Sequence, residues 1–323
     1  MTKYVVSGYI GFDNFGDEAI AQVLTNKLKD LGAEKITVIS SNPQKTTELY
    51  GVSSVKMLKF LPSIVKSDVL ISGGGSLLQD ITSLKSLIYY LGVISSALLF
   101  GKKVYIFAQG FTPFRTDLGK FLTKHLLKRC HKITVRDIKS QELLKDMGID
   151  SELVSDPVFG LKIPESVERS GVGIQLRKFP KLNKDFMNSL ADEIVQKFPD
   201  KEIKLISLQD SLDFRILETF SHILDSKGVQ AKIIKGLSVE EAVEEISKLE
   251  YLISMRFHSC LVGAKAGVKV LGINYDIKVQ NLAKMIGFPI VNLDKNVSSR
   301  FDKLLLTNPQ EYSVPSFEFP DLG

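Results

Sequence analysis

The chain predicts an α/β protein of two Rossmann-like domains facing a cleft, and three observations predict it. Short apolar runs alternate with amphipathic segments along the sequence, as expected for parallel sheets covered on both faces. The alternation breaks at SDPVFGLKIP, residues 155–164, where Pro157 and Pro164 bracket a linker. The 323 residues, 44% hydrophobic and 24% charged, are too many for one small core and have the composition of a soluble globular protein. The expected domains are 1–160 and 165–323.

Residues 4–7 form a first apolar strand, 8–16 a loop, and residue 17 onward an amphipathic helix to 31. The strand at 36–40 ends at Asn42-Pro43, a turn and potential helix cap. Residues 68–72 are a buried strand running into Gly73-Gly74-Gly75-Ser76. The uncharged stretch 86–100 is shorter than the roughly 18–20 residues that span a bilayer and reads as a buried helix. Strands follow at 104–108 and 133–135, the second closing at Arg136-Asp137 before a helix to 147. In the second half, strands are expected at 172–176, 203–208, 231–234, 251–253 and 268–273. Helices are expected at 184–198, 211–227, 238–249, 258–267 and 277–286. The tail 309–323, with three prolines, reads as extended or partly disordered.

The net charge of +5 is mildly basic and fits an anionic substrate or a membrane surface. Cys130 and Cys260 lie far apart and outside any metal spacing, so both read as reduced thiols of a cytoplasmic protein. The N-terminus enters a strand without a signal-peptide pattern. There is no HExxH, no DxD and no clustered Cys/His, so neither a metal nor another cofactor is implied.

Residues 254–278 carry the densest chemistry. Arg256 and His258 follow a strand, a helix rich in Ala and Gly comes next, and Lys278 follows the next strand. Ligands of open parallel sheets sit at the carboxyl ends of strands and at helix N-termini. A fork of donors, a titrating imidazole and a point cation there make a reading head for a phosphorylated substrate. His258 alone would read as a core histidine. Its two cationic neighbours favour a functional reading.

Other stretches have plainer competitors. GYIGFDNFGDEA, residues 8–19, lacks the GxGxxG spacing, so the dinucleotide fingerprint fails. Asp17 and Glu18 in the first helical turn suit the helix dipole. Equally, Asn14 and Asp17 could bond sugar hydroxyls, with Asp17 as a base. ISGGGSLLQD, residues 71–80, is no P-loop. Three glycines in succession favour a ligand-facing loop over a plain turn. Arg136 and Arg177, each at a predicted strand end, read as anion contacts or as ordinary ion pairs. The basic stretch Lys124, His125, Lys128, Arg129, His131, Lys132 reads as a solvated face, with peripheral contact to anionic lipid head groups as the alternative. No nucleic-acid motif accompanies it.

Together these stretches resemble the polysaccharide pyruvyl transferase family. The matching segments are GYIGFDNFGDEA, ISGGGSLLQD, AQGFTPF at 108–114, TVRDIKSQELL at 134–144, VSDPVF at 154–159 and MRFHSCLVGAKAGVKVLGINYDIKV at 255–279. They recur in order over about residues 4–280, and the last is the most specific. The resemblance implies a fold similar to the GT-B glycosyltransferases. It also implies transfer of a pyruvyl group from phosphoenolpyruvate to a sugar, usually as a cyclic ketal. The family's Arg-x-His element falls on Arg256 and His258, its downstream lysine on Lys278 and its Arg-Asp element on Arg136 and Asp137. The resemblance is closest to the subgroup acting on N-acetylmannosamine of lipid-linked cell-wall precursors, which implies a 4,6-ketal.

On this reading Arg256, Lys278 and Arg177 of the C-terminal, phosphoenolpyruvate-side domain bind the donor together with the N-terminal-domain Arg136, and His258 is the general acid. Asn14, Asp17, Gly74, Gly75 and Ser76 face the acceptor on the N-terminal side, with Asp17 as a candidate base. Two rivals remain at this stage: a GT-B glycosyltransferase using a nucleotide sugar, and a two-lobed sugar-binding module.

Overall fold

A computed structural model of the chain describes residues 2–81, 83–165, 167–294 and 297–322. The chain divides into two compact units, 1–161 with 316–323, and 162–315.

The first unit holds β1 (Lys3–Ser7), α1 (Phe15–Asp30), β2 (Lys35–Ser40), α2 (Pro43–Tyr50), β3 (Ser53–Lys56), α3 (Leu61–Val65) and β4 (Val69–Ser72). It continues with α4 (Leu84–Leu99), β5 (Lys103–Gln109), α5 (Asp117–Leu127), β6 (Lys132–Val135), α6 (Ile138–Asp146) and β7 (Glu152–Leu153). Its strands form one parallel sheet of seven in the order β3-β2-β1-β4-β5-β6-β7. The direction of winding reverses between β1 and β4. Alternate residues of β5 serve opposite faces. Val104 and Ile106 join Leu87, Leu91 and Ile94 of α4 in one buried cluster.

Tyr105 and Phe107 need cover on the other face, and the C-terminal tail supplies it. The Phe107 ring lies 6.3 Å from that of Phe317 and 5.3 Å from that of Phe319. The Tyr105 hydroxyl donates to the Leu322 carbonyl, and Ser155 Oγ donates to the Ser316 carbonyl at 2.6 Å. The tail opens with a 3-10 turn at Pro309–Glu311 and then runs without helix or strand among the described residues, and residues 316–323 belong to the first unit and not to a second domain reaching 323. Two phenylalanines over a bare sheet face account for the difference.

The second unit holds β8 (Val172–Gln175), α7 (Lys184–Lys197), β9 (Ile203–Ile206), α8 (Asp210–Ser226), β10 (Ala231–Ile234) and α9 (Val239–Ser247). It continues with β11 (Tyr251–Ser254), α10 (Phe257–Lys265), β12 (Lys269–Asn274), α11 (Ile277–Ile286), β13 (Ile290–Asn292) and α12 (Ser298–Leu306). Its parallel sheet runs β10-β9-β8-β11-β12-β13, reversing between β8 and β11. The small residues of α10 let the helix lie against its own sheet. A Cβ at Gly263 would sit 2.7 Å from Leu252 Cδ2 and 3.1 Å from Val270 Cγ2.

Strands β3, β7 and β13 lie outside the sequence expectation. β3 reads SSVK and β7 has two residues, too polar or too short to register as apolar runs. β13 follows Pro289 as a three-residue sheet edge.

Candidate active site

In open α/β sheets the crevice for a ligand opens outside the carboxyl ends of strands where the winding reverses. The reversal in the first unit lies between the loop after β1, residues 8–14, and the glycine run after β4. Asn14 caps α1 and accepts from the Gly16 N–H at 3.3 Å, so the residue expected to meet a sugar also has a local task. Glu18 turns back and accepts from the Gly11 N–H at 2.7 Å and from the Tyr50 hydroxyl. Burial pushes its carboxyl above the usual range, and the bonds from Tyr50 and Gly11 offset this only in part.

The glycine run packs against α1. Gly75 has φ +91°, and a Cβ there would lie 2.7 Å from Asp17 Oδ1. A Cβ at Gly74 would lie 2.9 Å from Ile20 Cγ2. Close approach of α1 therefore gives Gly74 and Gly75 a packing reason beside the ligand-facing loop that three successive glycines favour. The same contact brings Asp17 and Gly75 together.

Arg136 stands where β6 ends. Its Nη1 donates to Asp156 Oδ2 at 2.7 Å and its Nη2 to Ser76 Oγ at 3.3 Å, and both members of the ion pair are buried. Asp137 caps α6 by accepting from the Ser140 N–H at 2.9 Å. Gln109, fully buried, accepts from the Leu77 N–H at 3.1 Å and donates to the Gly73 carbonyl at 2.7 Å. Asp17, Gly75, Ser76 and Arg136 thus form one connected edge, held by Asp156 and Gln109.

The second unit repeats the arrangement at its own reversal. Arg256 is the N-cap residue of α10, two residues beyond β11, and is 7% exposed. Its Nε donates to Asp213 Oδ2 at 2.8 Å and its Nη2 to Asp213 Oδ1 at 2.6 Å and Gln209 Oε1 at 3.2 Å. Its backbone N–H donates to Gln175 Oε1 at 3.0 Å. Asp213, with no exposed surface, also accepts from the N–H groups of Leu208 and Gln209 and from Gln175 Nε2, each at 3.1 Å. The guanidinium is fixed along its Nε–Nη2 edge by Asp213 and Gln209.

Arg177 follows β8. Its N–H donates to Met255 Sδ at 3.4 Å and its Nη1 to the Tyr275 hydroxyl at 3.2 Å. Its guanidinium carbon lies 5.4 Å from the Tyr275 ring centroid. Burial raises the Tyr275 hydroxyl above its ordinary value, and the Arg177 charge offsets part of that rise. His258 is the second residue of α10 and Lys278 the second of α11. β8, β11 and β12 are neighbours in the sheet, so Arg177, Arg256, His258 and Lys278 belong to adjacent strand ends.

Sequence reasoning missed Asp156, Asp213, Gln109, Gln175, Gln209 and Tyr275. Asp156 lies inside the VSDPVF segment, and Gln175 one residue before a predicted strand end, so a search for buried acceptors near those arginines could have found them. Asp213 lies 43 positions from Arg256, and nothing local marks it.

The sequence model of the family described as polysaccharide pyruvyl transferase matches residues 14–277. The chain belongs to the polysaccharide pyruvyl transferase family. The match runs from Asn14 through both reversals to the start of α11. No curated protein matches the chain in sequence. Among solved structures, UDP-GlcNAc 2-epimerase from Methanocaldococcus jannaschii has a TM-score of 0.67 at 12% identity, over 98% of this chain and 96% of that one. The Neisseria meningitidis UDP-GlcNAc 2-epimerase bound to UDP-GlcNAc gives 0.63 at 11% identity, over 97% and 95%. Anabaena Alr3699/HepE in complex with UDP and glucose gives 0.63 at 9% identity, over 97% and 92%. At such identities the likeness is one of fold, and it places this transferase family member among GT-B-like proteins.

Proposed function

We propose that the chain transfers the pyruvyl group of phosphoenolpyruvate to two hydroxyls of one sugar, forming a cyclic 4,6-ketal and releasing phosphate. The family match over 14–277 carries the reading, and the arginines at both reversals support it. N-acetylmannosamine of a lipid-linked polymer precursor is the proposed acceptor, and the cytoplasm the proposed compartment.

The reaction needs a proton delivered to the donor's methylene carbon, which makes C2 electrophilic. One hydroxyl attacks C2 and loses its proton, the C–O bond to phosphate breaks, and a second hydroxyl closes the ring at C2, its proton leaving with the departing phosphate. Arg256, Arg177, Lys278 and Arg136 are the proposed contacts for the donor's phosphate and carboxylate. Each charge-assisted bond contributes roughly 1.5–3 kcal/mol. Asp213 holds Arg256 as a positioning residue, and Asp156 holds Arg136. His258 is the proposed acid, since imidazole titrates near neutral pH. Asp17 is the proposed base for the attacking hydroxyl, with Asn14, Gly74, Gly75 and Ser76 beside the acceptor.

The test is phosphate release from phosphoenolpyruvate with and without an N-acetylmannosamine-containing, lipid-like acceptor. Acceptor-dependent release, with pyruvate retained on the sugar, is expected. His258→Ala should lose most turnover and keep donor binding. No release, with thermal stabilisation by a nucleoside diphosphate instead, would reject the proposal in favour of a nucleotide-sugar glycosyltransferase.

A further inference from the structure

The helical face of the first unit formed by α3, α4 and α5 is unusually apolar for a free surface. Leu58 is 90% exposed, Phe121 64% and Ile88 51%, with Leu61 and Leu118 exposed beside them. The elements that carry them adjoin. Tyr89 of α4 packs edge-on against Phe60 at 6.2 Å, and its hydroxyl donates to the Met57 carbonyl at 3.1 Å. On the other side, a Cβ at Gly119 of α5 would lie 3.1 Å from Leu87 Cδ2. α4, which carries Ile88, therefore lies between the segment carrying Leu58 and Leu61 and the helix carrying Leu118 and Phe121. α4 was expected to be buried, yet it buries Leu87, Tyr90, Leu91 and Ile94 and leaves Ile88 open.

The same face is strongly basic. Residues 56–66, 83–100 and 115–125 contain seven Lys or Arg and one acid, Asp117, more positive than the whole chain at +5. Lys56, Lys59, Lys66, Lys85, Arg115 and Lys120 are all exposed. The stretch 124–132 is only an edge of this region, and its Lys132 is paired with Glu152 at 2.8 Å.

Exposed apolar side chains ringed by cations mark a surface that lies on a membrane, the apolar groups entering the head-group boundary and the cations meeting anionic lipid. No helix among the described residues is long and apolar enough to cross a bilayer. A second copy of the chain fits poorly, because a twofold contact through this face would oppose like charges.

We infer that the α3–α4–α5 face docks the protein on an anionic membrane surface, with Leu58, Ile88 and Phe121 as apolar anchors and Lys59, Lys85 and Lys120 as head-group contacts. The inference extends the proposed lipid-linked acceptor but stands without it, because docking is read with neither donor nor acceptor present.

The experiment is co-sedimentation of the full chain with vesicles of phosphatidylcholine alone, or with about a third replaced by phosphatidylglycerol. Binding to the anionic vesicles, weakened by high salt, is expected. Each cation near an anionic leaflet contributes about fivefold in partition. Lys59→Ala/Lys85→Ala/Lys120→Ala should therefore weaken binding about a hundredfold, and Leu58→Ser/Phe121→Ser by at least about tenfold. A control triple, Lys181→Ala/Lys184→Ala/Lys284→Ala, should bind like the wild type. All of these positions are exposed, and unchanged melting would confirm that the fold is intact. Three results would overturn the inference: no binding to anionic vesicles at low salt, patch variants that bind like the wild type, or a dimer in solution that Phe121→Ser dissociates.

Discussion

Asp213→Ala should be among the most damaging single substitutions in the second unit, and more damaging than Arg256→Ala. Both side chains are buried, and their two bonds are 2.8 and 2.6 Å long. Removing one partner of a buried ion pair typically costs about 3–5 kcal/mol, because the other charge is left uncompensated. The two removals differ in what remains. Without Arg256, the Asp213 carboxylate keeps the N–H groups of Leu208 and Gln209 and the amide of Gln175. Without Asp213, the Arg256 side chain keeps only Gln209 Oε1 among the described residues. For a unit of this size each kcal/mol moves the melting temperature by about 2–4 °C. Asp213→Ala should lower it by about 6–20 °C, Arg256→Ala by less, and the double variant by less than the sum. Thermal melting followed by circular dichroism, with no ligand, is the assay. Lys248→Ala, which removes the exposed pair with Glu244, is the comparison and should shift the midpoint by about 2 °C or less. An Asp213→Ala shift no larger than that control, or a larger loss for Arg256→Ala, would refute the reasoning.

Other outcomes can be checked in the same way. Folded Glu18 holds its proton more tightly than unfolded Glu18, so ionisation subtracts stability as pH rises from the usual 4.5 through its raised value. The melting advantage of Glu18→Gln over the wild type should therefore grow with pH across that window, and a flat difference would contradict it. Gly75→Ala forces φ +91° on an L-residue and sets a methyl 2.7 Å from Asp17 Oδ1, so urea unfolding should show a loss of about 1–3 kcal/mol. Gly92→Ala on the exposed side of α4, where a Cβ meets nothing within 4 Å, should gain about 0.5–1 kcal/mol. Deleting residues 316–323 should bare Tyr105 and Phe107, speeding hydrogen exchange in β5 and lowering the melting temperature. Unchanged exchange would show that the tail is dispensable.

Much of the architecture was legible because central parallel strands are apolar runs and their ends carry distinctive residues. Val69–Ser72 and Tyr251–Ser254 are wholly buried, and each runs straight into a motif. Edge strands escaped notice because only one side of each pairs: SSVK carries no apolar alternation. The tail escaped because Phe317 and Phe319 have no period, and their partner Phe107 lies some two hundred residues earlier. The arginines were legible as charges at strand ends, but their pairing was not. Asp213 reaches Arg256 from the first turn of α8, across a sheet order that no local pattern encodes.

That pairing changes what the arginines can do. An arginine free in a crevice presents a whole fork and a full charge to any anion. Arg256 is part of a buried ion pair, so its attraction for a distant anion is largely cancelled, while its guanidinium is held in one orientation. Arg136 repeats the arrangement with Asp156 at the other sheet's reversal. Such groups favour placement of a ligand oxygen over simple charge attraction, because little side-chain freedom is left to lose on binding. If they serve the donor as proposed, donor affinity should depend only weakly on salt, in contrast to the salt-sensitive docking of the basic α3–α4–α5 face. Arg256→Lys should then fail to restore turnover although it keeps the charge, because an ammonium cannot bond both Asp213 oxygens and still present a second fixed donor. Full activity in that variant would mean that charge alone suffices at this position.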